Sequence, residues 1–185
     1  MEVIGQFNNS FILCQLDKDL YILDQHACDE KSNYEHLMNE VAIHSQKLIK
    51  PIPLELSPDQ EFTIIHNQAI FKRNGFDISI SESQELGQRL QLTSLPASKK
   101  YTFSVEDFLE LVGTVMETGG MAQRTPKLAK ILATRACHQS VRAGDPLNYP
   151  KMVSQIVRRL AELDRPWSCP HGRPTLRHLV SLHHQ

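Results

Sequence analysis

The chain has 185 residues, 41% hydrophobic and 22% charged, with 20 Lys plus Arg against 21 Asp plus Glu and a formal net charge of −1. This composition fits one compact globular domain or two small lobes, and it excludes disordered and collagen-like chains. The near-neutral balance excludes tight, sequence-independent DNA binding by this segment through charge alone. The apolar runs fall far short of the roughly 20 residues that a membrane-spanning helix needs, and no secretory signal is visible at the N-terminus.

Val3 to Phe7, Ser10 to Leu16 and Leu20 to Leu23 read as strands around short polar turns. Ala27, Tyr34, Leu37, Met38 and Val41 recur at helical spacing and predict one amphipathic helix to about Ser45. Gln46 to Pro53 carries two prolines and reads as an extended connector. Ser57-Pro58-Asp59-Gln60 is a capping-box signature, and it opens a helix that Gly75 ends. Phe76 to Ile80 and Leu90 to Leu95 read as strands, and Ser104 starts a helix to about Gly119-Gly120. Thr125-Pro126 opens a long helix to about Val141, and Asn148 to Leu163 gives another. Three prolines between Asp164 and Pro174 rule out regular helix there, and Thr175 to about Leu182 reads as a short closing helix. The expected class is α+β, a mixed α/β chain of two lobes. One is built from both chain ends, residues 1–47 and 126–185, with 48–125 inserted as the other.

Four cysteines at 14, 28, 137 and 169 are too few and scattered for a disulfide scaffold, and fit reduced thiols. Asp24-Gln25-His26-Ala27-Cys28-Asp29-Glu30 joins a strand end to a helix start. His26 and Glu30 share a helix face, which offers a nitrogen and an oxygen to one ion, and Asp24 is placed to approach it. The plainer reading is a helix N-terminus that favours carboxylates through its dipole. Cys169-Pro170-His171 alternates thiol and imidazole, which point the same way in extended chain and together suit zinc. A buried thiol beside a surface histidine is the alternative. Cys137 lies on an apolar helix, as a small core residue or a ligand. His138 points about 100° away, as a surface or supporting residue. Cys14 reads as strand core and Cys28 as incidental.

The combination resembles a specific family. Asp24-Gln25-His26-Ala27-x-x-Glu30-x-x-x-x-Glu35, Ala136-Cys137-x-x-Ser140 and Cys169-Pro170-His171-Gly172-Arg173-Pro174 resemble, in order, three motifs of the MutL-type mismatch-repair endonucleases. Gly5-Gln6-Phe7-Asn8, Asn74-Gly75-Phe76-Asp77, Ser94-Leu95-Pro96 and Pro166-Trp167 extend the likeness over nearly the whole chain. It is closest to the C-terminal domain of the eukaryotic post-meiotic-segregation type. Ser10, where that type usually has glycine, and His138, where it usually has arginine, are departures that leave the metal residues intact. Members carry an N-terminal ATPase of the GHKL type and a long linker. Neither is present here, so the resemblance implies an excised domain.

The resemblance implies a metal-dependent endonuclease that nicks one strand of duplex DNA in mismatch repair, in the nucleus. It implies that the lobe built from both chain ends dimerises with a MutL-homologue partner subunit, while the inserted lobe is external and regulatory. The implied metal ligands are Asp24, His26, Glu30, Cys137, Cys169 and His171. The implied cofactor is one or two zinc ions, with manganese or magnesium as a catalytic ion on Asp24 and Glu30. Further donors are water, substrate oxygens or a partner's C-terminus. Arg173 is either a phosphate contact or a brace for the proline turn. Gln46, Leu48, Ile49 and Pro51 resemble the family's sliding-clamp motif, able to dock as extended chain into an apolar groove, or else to pack at the lobe junction. Duplex DNA binding by this domain alone is expected to be weak. The rival reading is a non-catalytic, zinc-stabilised dimerisation module.

Overall fold

In chain order the elements are β1 (Glu2–Phe7), β2 (Phe11–Leu16), β3 (Asp19–Asp24), α1 (Gln25–Glu40), β4 (Ser45–Pro53), α2 (Pro58–His66), α3 (Gln68–Arg73), β5 (Asp77–Ile80), β6 (Leu90–Pro96), α4 (Val105–Glu117), α5 (Pro126–Gln139), α6 (Tyr149–Lys151), a π-helical stretch Met152–Arg158, α7 (Arg159–Ala161) and β7 (Leu176–Ser181). The computed structural model describes residues 1–41, 43–81, 84–98, 101–120 and 124–182. Helices and antiparallel sheets occur together, so the class is α+β. The chain forms two units, one of Met1–Asn39 with Ile131–Gln185 and one of Glu40–Lys130. No helix among the described residues is long and apolar enough to cross a membrane.

The first unit carries a sheet in the order β1-β2-β3-β7. Asn8 and Asn9 take φ of 51° and 46°, and the Ser10 N–H donates to the Phe7 carbonyl at 3.2 Å. Two consecutive positive φ values give a hairpin turn whose twist matches its strands, and asparagine tolerates that region. The register pairs Val3 with Cys14 and Ile12 with Leu23. All four are buried and pack with Cys28, Ile156 and Leu160. Burial pushes the Cys14 thiol up to about 11, so it sits in this core as a neutral apolar group.

The closing helix expected over Thr175 to Leu182 is instead strand β7, antiparallel to β3. Without it β3 presents a row of unpaired backbone donors and acceptors, and satisfying those outweighs the weak helical pattern of eight residues. Helix α1 starts at Gln25 and ends at Glu40, short of the expected Ser45. Residue 42, within that expected helix, lies outside the described residues.

In the second unit β4, β6 and β5 form a three-stranded sheet, and α2, α3 and α4 supply Ile64, Phe71, Phe108 and Leu111 to its core. The Ser57 capping box is present. The single helix expected from there to Gly75 breaks at Asn67, whose φ is −119°. Its Nδ2 donates to the Thr63 carbonyl at 2.9 Å, alongside its own N–H at 3.1 Å, so the side chain competes with the backbone for that acceptor at the break. Gly75, φ +86°, ends α3. Its N–H donates to the Lys72 carbonyl and that of Phe76 to the Phe71 carbonyl, a Schellman stop that needs the left-handed region. The connector expected at Gln46 to Pro53 lies within strand β4, paired with β6 at Ser45–Lys47 and Ile52–Pro53, with the register shifted between. Pro51 lacks an N–H to donate to a ladder, and the pairing lapses around it.

Candidate metal centre

Asp24 ends β3 and caps α1. Its Oδ1 accepts the Ala27 N–H at 2.9 Å, three residues on, which starts the helix at Gln25. His26 and Glu30 then fall on one helical face. The His26 Nδ1 lies 2.8 Å from the Val141 carbonyl. A carbonyl only accepts, so Nδ1 carries the proton and Nε2 keeps its lone pair. That Nε2 is 3.5 Å from the Cys137 Sγ and 3.8 Å from a Glu30 carboxylate oxygen. Cys137 comes from the last turns of α5.

The other Glu30 oxygen is 2.5 Å from the His171 Nδ1. Cys169-Pro170-His171 is a tight turn rather than the extended chain expected. The Gly172 N–H donates to the Cys169 carbonyl at 2.9 Å, and the Cys169 N–H to the Arg173 carbonyl at 2.9 Å. Gly172, φ +82°, supplies the left-handed residue. The turn, not strand alternation, brings thiol and imidazole to one side.

Two donor groups result, His26, Glu30, Cys137 and Glu30, Cys169, His171, the atoms of each within 4.8 Å of one another. Glu30 belongs to both and is 1% exposed, while half of the His171 side chain faces solvent. Burial and then the Glu30 charge raise the Cys137 thiol above its ordinary range, with Arg173 opposing. Burial and a hydrogen bond to Glu30 do the same for Cys169. Without a cation both are therefore neutral thiols around a buried carboxylate. Nitrogen, oxygen and sulfur donors in this mixture fit zinc.

Asp24 lies outside both groups. It pairs with Phe11 across the sheet and lines a cleft of about 360 Å³ with Phe11, Ile22, Arg173 and Arg177. Glu35 is 2.6 Å from Lys31. His138 is exposed. The Cys28 Sγ donates to the Thr175 carbonyl at 3.2 Å, and burial holds its thiol well above the usual range.

Residue-by-residue reading missed Gln25. It is wholly buried, and its Nε2 donates to the carbonyls of Asn9, Arg142 and Asp145 at 3.0, 2.8 and 3.1 Å. Gln6 donates to its Oε1 at 2.6 Å. One amide thus ties the first hairpin to the loop after α5. Its only sequence signal is its place within the motif, beside His26.

Residues 4–147 match the family model described as the MutL C-terminal dimerisation domain. The chain is 47% identical over 189 residues to the Saccharomyces cerevisiae DNA mismatch repair protein PMS1, covering 98% of this chain and 22% of that protein. It is 42% identical over 182 residues to the human mismatch repair endonuclease PMS2, covering 98% of this chain and 21% of that one. A Clostridium botulinum MutL is 36% identical over 180 residues, covering 95% and 26% respectively. The chain spans about a fifth of the length of the eukaryotic relatives it matches. Its match to the family model and its identity to these relatives place it in one group: the chain belongs to the MutL C-terminal dimerisation domain family.

Proposed function

We propose that this domain is the metal-dependent endonuclease part of a mismatch-repair protein, nicking one strand of duplex DNA. The observation that carries the reading is the Glu30 carboxylate shared by two mixed donor groups. A zinc ion held there would supply positive charge against the phosphodiester and would make bound water a stronger nucleophile for its hydrolysis. His26, Glu30, Cys137, Cys169 and His171 would hold it, and the Val141 carbonyl keeps His26 Nε2 aimed inward. Manganese or magnesium on Asp24 and Glu30 fits less well, because an Asp24 oxygen is engaged at the helix cap. Arg173 braces the turn through its carbonyl, and its side chain, with Arg177, gives the neighbouring cleft a cationic wall for DNA phosphate. Each group offers three donors among the described residues, whereas a closed structural zinc site takes four. That favours the catalytic reading over a purely structural module.

Beside that cleft, the outer face of the sheet in the first unit presents Phe7 and Leu13, opposite the buried Ile12. Phe7 is 56% exposed. We assign this apolar face to the MutL-homologue partner, in keeping with the family's description as a dimerisation domain. The site of action is the nucleus. The test is nicking of supercoiled DNA by the full-length protein with its partner, alongside element-resolved metal content. Cys169→Ser and His171→Ala are each expected to lower both. Unchanged zinc in both variants removes this turn from the centre.

Gln46, Leu48, Ile49 and Pro51 are assigned to a sliding clamp. Leu48 packs on the core of the second unit, while Ile49 on the adjacent position is fully exposed. Gln46, Leu48 and Ile49 line a cleft of about 540 Å³ together with Tyr101 and Phe103. Gln46→Ala with Ile49→Ala is expected to abolish clamp stimulation of nicking. Stability should change by no more than about 0.5 kcal/mol, as for exposed positions generally, with zinc content unaltered. Normal stimulation in the folded double variant would end the assignment.

A further inference from the structure

Between His26 and Glu30 lies a second carboxylate, Asp29, which is wholly buried and belongs to neither donor group. A buried carboxylate is costly unless every oxygen is satisfied, and this one is. Its Oδ1 accepts from Arg159 Nη1 at 3.1 Å. Its Oδ2 accepts the Val141 N–H at 2.9 Å and a longer bond from Gln155 Nε2 at 3.4 Å. Val141 is the residue whose carbonyl receives the His26 Nδ1–H.

The network continues to α5. Arg159 Nη2 donates to Asn33 Oδ1 at 2.9 Å, Asn33 Nδ2 to Ser140 Oγ at 2.9 Å, and Ser140 Oγ to the Ala136 carbonyl at 2.7 Å. Ala136 precedes Cys137. The chain therefore returns to both segments that face His26, the loop at Val141 and the turn that carries the thiol.

We infer that Asp29 is a positioning residue for this centre: by holding the Val141 N–H it fixes the adjacent Val141 carbonyl, which holds the His26 ring with Nε2 facing Glu30 and Cys137. This rests on the metal-centre reading above. A histidine ligand depends on the partner of its other nitrogen, and losing such support typically weakens metal binding by about 10–100-fold. Here the support is a backbone carbonyl, and Asp29 is the side chain that keeps that carbonyl in place.

The test is a double-mutant cycle on zinc affinity in the full-length protein, read by competition with a chromophoric chelator. Asp29→Ala is expected to weaken zinc binding by about 10–100-fold. In a His26→Ala background it should have almost no further effect, because the ligand it orients is gone. Asp29→Asn, which keeps an acceptor for the Val141 N–H, is expected to retain most of the affinity although it loses the charge opposite Arg159. It also serves if Asp29→Ala does not fold. Equal losses with and without His26, or an asparagine variant as weak as the alanine one, overturn the inference and leave the centre standing. Zinc affinity unchanged by His26→Ala overturns the metal-centre reading and the inference with it.

Discussion

Glu30→Ala is expected to abolish nicking and to weaken zinc binding at both donor groups by more than about 100-fold, beyond the usual cost of losing a mere supporting contact. Glu30 is the one side chain common to both groups, so its removal cannot be absorbed by loading one ion instead of two. His171 also loses its 2.5 Å partner, and the centre loses the carboxylate that balances cationic charge. The outer face of the sheet contains none of these residues, so association with the partner should persist. The measurement is nicking of supercoiled DNA, zinc content and sedimentation of the same preparation. A variant that keeps its zinc or its nicking would contradict the shared-carboxylate reading. A variant that loses its partner as well would mean that the centre supports assembly.

The second large effect is on pH. Burial and the Glu30 carboxylate hold the Cys137 and Cys169 thiols above their ordinary range, so the protein without metal keeps both protonated at neutral pH. Zinc binds the thiolate, and each ion must therefore displace one thiol proton from its own group. Affinity rises with pH and is lost as pH falls. With one thiol proton displaced per ion, the slope should be about tenfold per pH unit for each ion. Chelator competition between pH 7 and pH 8 checks this. Cys137→Ser and Cys169→Ser should each flatten the slope for one ion only. A pH-independent affinity would mean that neither thiol binds as thiolate.

Much of this was legible in the chain, for reasons that differ from place to place. The three N-terminal strands, the capping box at Ser57, the stop at Gly75 and the start of α5 at Thr125-Pro126 are local chemistry, and local chemistry is written in neighbouring residues. There the Thr125 Oγ1 accepts the Leu128 N–H at 3.1 Å. Strand β7 is not legible locally because its partner, β3, lies more than 150 residues away, and only that pairing makes residues 176–181 a strand. The pairing of His26 with Glu30 followed from helical geometry. The convergence of Cys137 and Cys169 on Glu30 is tertiary, and the motif resemblance supplied it where spacing did not. Asp24 stands at a strand end and in the first motif, which make its carboxylate look available. The helix it caps claims one of its oxygens. Asp29 gives no local signal and Gln25 only its place in the motif, because a buried polar side chain is defined by partners that the sequence does not bring together.

The division of the chain has a consequence for biosynthesis. Residues 40–130 are contiguous and can collapse as soon as they leave the ribosome. The first 39 residues must wait for Ile131 onward, a delay on the order of ten seconds at ordinary translation rates. Until Leu176–Ser181 arrives, β3 exposes an open edge able to recruit foreign strands. Cys169 and His171 emerge only just before that strand, so the group of Glu30, Cys169 and His171 is completed only as the edge is about to be sealed. Completion of the second donor group and closure of the sheet therefore belong to one late event, and a chain cut short before residue 169 is left with one finished unit, one sticky edge and only the donor group of His26, Glu30 and Cys137.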